Sequence, residues 1–381
     1  MRRQVRGVAI AAAARAARQS AGAAGAPGAA AAAGADGKRV PWADAIAERW
    51  TAQIGDHPER ERIVQLIGSS LCDSTVEKYG RHVANFIRWC DNQADRPCPL
   101  PASSATVARW IAGDVTVGGK VKESSLQPYL SAINRLHEDL DFDKPALGTL
   151  IARVRKGLAH EHADSGERGA QRVYLPPPVV ESLLVWALDL EVNGQREREL
   201  LRAAVAVIVT FVLFARGGTG AALRDGDVRR RSAAGILFTL VKEKGKKAAG
   251  VARTLVIPHD AIPGLSALLD KWEAVRGGVP RTQCYFSFRG ERREFPSTQI
   301  DTWLRLCLAH HGYEPPAGEL WSGHSLRKGA ASGAGALDVA LHRICYAGGW
   351  KSRSRVVLDY IDPTCPLTSA CRRFFGWLKP C

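Results

Sequence analysis

The sequence predicts a mainly α-helical chain with one small β-sheet, an α+β protein built as two domains. Three observations carry that expectation. Between residues 60 and 162, four segments repeat apolar residues at helical spacing, with Pro- and Gly-containing breaks between them. A polar stretch closed by three prolines then reads as a linker over 163–178. Beyond it, in a second domain over 179–381, long helical patterns surround a single pair of β-branched runs. With 381 residues the chain is long enough for two cores.

Residues 1–40 are almost all Ala, Gly and Arg, with no acidic side chain before Asp36. Such a composition cannot build a core and reads as a disordered tail. Being Arg-rich and acid-poor, it also fits a transit peptide. A helical lead-in follows from Pro41 to Leu71. In Asp73–Cys90 the side chains of Val76, Tyr79, Val83, Phe86 and Ile87 fall on one helical stripe, with Ser74 or Thr75 as cap. Lys78 and Arg81 lie on other faces. Further helices are expected at Ala105–Ala112, Glu123–Leu140 and Leu147–His160, the last bearing Arg153, Arg155 and Lys156. Any one of these basic residues alone is ordinary solvated surface. Together they form a surface suited to phosphates.

The second domain opens with helices at Val179–Leu190 and Glu197–Phe214. The stretch AVAVIVTFVLF in the latter is apolar all round and must be buried. It delivers Arg216 into a Gly-rich turn. GILFTLVK (Gly235–Lys242) and VARTLVIP (Val251–Pro258) flank EKGKKAAG, a β-hairpin with a basic tip. A further strand is expected at Gln283–Phe288 and a helix at Ser297–His310. At the carboxyl end, Phe374, Phe375, Trp377 and Leu378 need burial.

Net charge is +15, from 53 basic against 38 acidic side chains. That field makes nucleic acid the default partner. The nine Cys show no C-x-x-C spacing and no paired Cys/His clusters, which argues against a zinc site and for a reduced intracellular protein. No apolar run reaches membrane-span length, so no membrane is expected as partner.

The candidate chemistry lies in Trp321–Asp362. His324 and Arg327 sit at i and i+3, on one helix face, behind Ser322 as N-cap. His-x-x-Arg is a weak motif, and a second copy at His57–Arg60 has no role. Here, however, it is followed by a small-residue helix, Gly-Gly-Trp ending in Trp350, and Tyr360-Ile361. This order resembles the carboxyl-terminal half of the tyrosine recombinase (phage integrase) superfamily, including its eukaryotic mobile-element branch. In the first domain, S-T-V-x-x-Y, F-I-R-W-C and S-L-Q-P-Y-L-S-A-I resemble that family's SAM-like core-binding domain.

The resemblance implies DNA strand cleavage and rejoining without metal or cofactor. It implies duplex DNA as partner, a homotetramer on DNA and a nuclear location, or an organelle if the tail is a transit peptide. It makes Arg216 the first catalytic Arg, followed by Leu223 and Asp227 at family spacing. Thr219 stands where the family usually has Glu, and two Gly follow the Arg. A hairpin lysine, Lys244 or Lys242, would be the general acid. Lys246, Arg353 and Arg355 would contact the DNA backbone.

Trp350 occupies a position that is commonly His, and its indole N–H can bind a phosphate oxygen. Tyr360, ten residues beyond Trp350, is slightly farther along than the family's interval and would be the nucleophile. Tyr346 is the other phenol and is expected to pack. In the family the tail often docks on a neighbouring protomer. Two alternatives remain open: a catalytically inactive DNA-binding relic of a mobile element, and a type IB topoisomerase-like enzyme.

Overall fold

The computed structural model describes residues 51, 53–68, 70, 73–119, 121–164, 171–241, 252–291, 294–351 and 354–379. The chain forms two compact units, one ending at Glu167 and one starting at Arg168.

The first unit is helical. Its helices run Arg60–Gly68, Asp73–Asn92, Ser104–Trp110, Gln127–Asp139 and Thr149–Asp164. Asp73–Asn92 packs on Gln127–Asp139, burying Val83, Phe86 and Ile87 with Leu130, Ile133 and Leu136. The Ser104 helix begins where Ser103 caps it, its hydroxyl accepting from Thr106 N, and it runs on into a π-turn at Ile111–Val115. Glu123–Leu140 is not one helix. A 3-10 turn at Glu123–Ser125 precedes the α-helix, which starts at Gln127 with Pro128 in its first turn, where a fixed φ and a missing N–H are tolerated. His137 is fully buried and neutral: burial lowers its pKa, and Nε2 accepts from Ala102 N at 2.8 Å.

In the second unit, the Gln195–Val212 helix is the hub. Every residue from Leu200 to Val212 is buried, as its apolar circumference requires. Helices Pro177–Asp189, Leu265–Arg276, Gln299–His310 and Gly323–Ala336 pack around it. The sheet has the order β2-β3-β4, all antiparallel: Val228–Ser232, Gly235–Leu240 and Arg253–Ile257. Phe238 faces Leu255 and Ile236 faces Ile257, so alternate residues enter the core. Gly235 is obligatory at the β2–β3 turn. It has φ 127, and a Cβ there would lie 2.3 Å from the Ile257 carbonyl oxygen.

Several expectations change. Gln283–Phe288 is not a strand. Tyr285 N bonds Leu223 O and Ser287 N turns back to Cys284 O, and this turn buries the consecutive Tyr285 and Phe286 together, which a strand cannot do on one face. The expected set also lacks the Leu265–Arg276 helix and strand β2. The stretch read as linker is partly built into the second unit. Gln171–Arg172 (β1) pairs in parallel with Glu319–Leu320 (β5), and Leu175 is fully buried. Aromatic residues of the tail pack within the chain. Ser369–Phe375 is a helix whose Phe374 and Phe375 are fully buried on the chain's own Phe211 and Phe214, with ring centroids 5.3–5.5 Å apart. Among the described residues, no helix is long and apolar enough to cross a membrane.

Candidate active site

The Gly323–Ala336 helix opens with a reciprocal cap. Ser322 Oγ accepts from His324 N at 3.3 Å, and Ser322 N donates to Ser325 Oγ at 3.0 Å. Gly323 N donates to the Asp301 carboxylate, fastening the helix start to Gln299–His310. The small residues beyond permit close approach. A Cβ on Gly329 would lie 2.1 Å from Leu175 O, and one on Gly333 would meet Phe375 and Pro177 at under 3 Å.

This helix presents His324 at the surface and drives Arg327 fully into the interior. Arg327 Nη1 donates to the Phe214 carbonyl. Its guanidinium lies 3.7 Å from the Trp350 ring centroid and 5.4 Å from that of Tyr360. Phe214 is itself in the left-handed region at φ 51, two residues before Arg216. Arg327 thus pins the turn that presents Arg216. Arg216 is half-buried and caps the short Gly217–Ala221 helix, its carbonyl accepting from Thr219 N and Gly220 N. Thr219 is buried and supplies no carboxylate. Asp227 closes the next turn, accepting from Arg224 N at 2.9 Å.

The Gly-Gly-Trp turn has a steric basis. Gly349 ends the Leu341–Gly348 helix at φ 68, where a left-handed residue is needed. A Cβ on Gly348 would fall 1.8 Å from the Trp350 ring, so only glycine leaves room for the indole. Trp350 Nε1 is buried and has no hydrogen-bond partner within the described chain.

Tyr360 ends a 3-10 turn, Arg355–Tyr360. Its ring centroid lies 4.9 Å from that of His324 and 5.0 Å from that of Trp350. Behind it, the buried Ser332 hydroxyl ties the turn to the helix. Ser332 Oγ accepts from Asp362 N at 2.9 Å and lies 2.8 Å from Lys328 O and 3.2 Å from Tyr360 O, either of which can take its proton. The pKa of His324 is lowered by partial burial first, then by the positive charges of Arg172, Arg327, Arg216 and Lys328. Arg216, His324, Arg327, Trp350 and Tyr360 therefore belong to one neighbourhood.

Other candidates fall elsewhere. Lys242, Lys244, Lys246 and Arg353 lie outside the described residues. Arg355 is exposed on the turn leading to Tyr360. Tyr346 does not pack: it is 60% exposed, and its hydroxyl donates to Thr254 O. In the first unit Lys78, Arg153 and Lys156 are exposed. Arg81 pairs with Glu77 at 3.2 Å, and Arg155 is held by Glu123 at 2.6 Å. Ser332 and Arg172 are missed by sequence reasoning, the first as one small residue among many, the second inside an apparent linker. Among the described residues, no group of three or more His, Cys, Asp or Glu is placed to hold a metal ion.

An imidazole, an indole and the Arg327 guanidinium stand around the Tyr360 ring, with the charge of Arg216 acting on the imidazole. No protein-family profile matches the chain. It is 25% identical to Recombinase cre of Escherichia phage P1 over 251 residues, covering 62% of this chain and 70% of that one. In structure it is similar to XerH site-specific recombinase in a post-cleavage complex with a palindromic difH substrate (TM-score 0.57, 11% identity, 92% of this chain and 90% of that one). It is also similar to the Tn1549 transposon integrase in complex with a circular intermediate DNA (TM-score 0.51, 12% identity, 83% and 95%). The chain is thus similar in sequence to a phage recombinase, and its fold is shared with a site-specific recombinase and a transposon integrase.

Proposed function

We propose that this chain cuts and rejoins duplex DNA through a covalent 3′-phosphotyrosyl intermediate. One observation carries the reading: the Tyr360 ring contacts both the His324 and Trp350 rings, with the Arg327 guanidinium 5.4 Å from its centroid. A phosphodiester resists attack because it is anionic, so catalysis consists of neutralising charge and positioning the attacker. Arg216 and Arg327 take the non-bridging oxygens, and the unpartnered Trp350 N–H has a donor to give a phosphate oxygen. His324 donates to the same group and accepts or returns a proton.

The Tyr360 oxygen attacks phosphorus, and the bond to the 5′ oxygen breaks. Lys244 or Lys242 protonates that leaving oxygen. Religation by a 5′-hydroxyl reverses the step, and one phosphoester is exchanged for another, so the reaction balances without ATP. The exposed Lys78, Arg153 and Lys156 of the first unit, with Arg81, Arg155, Lys246, Arg353 and Arg355, grip backbone phosphates. A tetramer on the DNA and a nuclear location complete the proposal.

The test is covalent capture. The purified protein is mixed with nicked duplexes randomised in sequence, and adducts resistant to detergent are isolated. Wild type is expected to give adducts that Tyr360→Phe lacks, while duplex binding survives in both. The buried Thr219, in place of an acidic residue, favours the relic reading. Binding by wild type with no adduct from the pool would establish that reading instead.

A further inference from the structure

We propose that Arg172 is an additional DNA-contacting residue of this site, gripping a backbone phosphate beside the one under attack. The inference rests on the DNA-cleaving reading above. Arg172 lies in β1, whose parallel register sets it opposite Leu320. In parallel strands, directly opposed residues point to the same side. Leu320 precedes the Ser322 cap by two residues and His324 by four, so the pairing lays Arg172 along the entrance of the catalytic helix.

The chain then continues along that helix's first turn, where Leu175 N donates to Ser325 O at 3.0 Å. Gln171 N donates to Gly318 O at 3.0 Å on the other side. The backbone of Arg172 is therefore fixed between two anchors while its side chain is exposed. Among the described residues, Arg172 has no ion-pair partner and no side-chain hydrogen bond. Its charge falls on His324 strongly enough to stand ahead of Arg327 and Arg216 among the charges acting there.

A long cation held at a rim, without a carboxylate, among groups that already converge on one phosphate, is an arrangement that gains by taking an anion. Arg327 is buried and reaches the reacting group from below. Arg172 is at the surface and reaches the strand as it crosses the rim.

The experiment compares wild type, Arg172→Ala and Arg172→Lys on a random-sequence duplex across a salt series, with adduct formation by wild type as control. Arg172→Ala should bind more weakly and flatten the slope of log affinity against log salt by about 0.9, the value of one phosphate contact. Arg172→Lys should keep the slope. In the free protein, NMR titration should show the His324 pKa rising in Arg172→Ala, which loss of a merely structural side chain far from the site would not produce. An Arg172→Ala slope and affinity equal to wild type, in a preparation whose wild type forms adducts, would overturn the proposal for Arg172 alone. A wild type that forms no adduct would instead sink the reading on which it rests.

Discussion

Ser332→Ala isolates what holds the proposed nucleophile, Tyr360, in place. The substitution leaves Asp362 N–H without the acceptor it has at 2.9 Å, and removes the hydroxyl 3.2 Å from Tyr360 O. The bond to Lys328 O matters less, because that carbonyl keeps its helical partner. An unmade hydrogen bond to a buried backbone group costs about 1–3 kcal/mol. Asp362 is only half-buried, so water recovers part of this, leaving ~1–2 kcal/mol.

If that cost falls on the attack-ready turn, cleavage slows by about 5- to 30-fold. The helix itself gains a few tenths of a kcal/mol from Ala in place of Ser, which offsets only a small part of the loss in global stability. The assay is the single-turnover rate of adduct formation at saturating DNA, with affinity and thermal midpoint measured alongside. Slower cleavage with affinity unchanged and a midpoint lowered by a few degrees is expected. An unchanged rate, or a rate that falls only in step with affinity, would refute the reasoning that Ser332 positions Tyr360.

Acidification should weaken the fold through His324. Its folded pKa lies below that of the unfolded chain, so its contribution is complete above the ordinary histidine range and is lost as pH falls through the depressed value. Urea midpoints for His324→Gln should show a shallower acid limb than wild type. A bound phosphate opposes the surrounding cations and raises that pKa again, so DNA binding on the acid side of neutrality should take up a proton, seen by calorimetry in buffers of different ionisation heat. Trp350→Phe keeps a ring over Arg327 and deletes the indole N–H, so adduct formation should slow while duplex affinity holds. Phe375→Ala should cost about 3–5 kcal/mol in a urea melt, because Phe375 is fully buried on Phe211 and Phe214.

What the sequence makes legible here is local. Ser322, His324 and Arg327 declare a capped helix and one face of it within six residues. Gly349 marks the left-handed end of a helix, and the apolar Ala204–Phe214 run, interrupted by Thr210, can only be a buried core element. What depends on distant partners is not legible. Strand β2 is hidden because Arg229, Arg230 and Arg231 break the alternation, and its partner β3 alone reveals it. Gln283–Phe288 has the composition of a strand, yet Leu223 and Trp272 draw Tyr285 and Phe286 into one turn. Arg172 meets its neighbours only through a parallel pairing with residues far along the chain. Ser332 carries no local signal, since its partners at Tyr360 and Asp362 belong to another element.

The helix that presents His324 and Arg327 is a poor helix by composition. Gly329, Gly333 and Gly335 each forgo about 1 kcal/mol relative to Ala in a helical interior. Alone the segment would not hold its shape, and its order is lent by Leu175, Pro177 and Phe375, which fill the space that larger side chains would occupy. Competence for strand cleavage is consequently tied to packing at the far end of the polypeptide. Anything that loosens the last helix would disarm His324 and Arg327 without touching either.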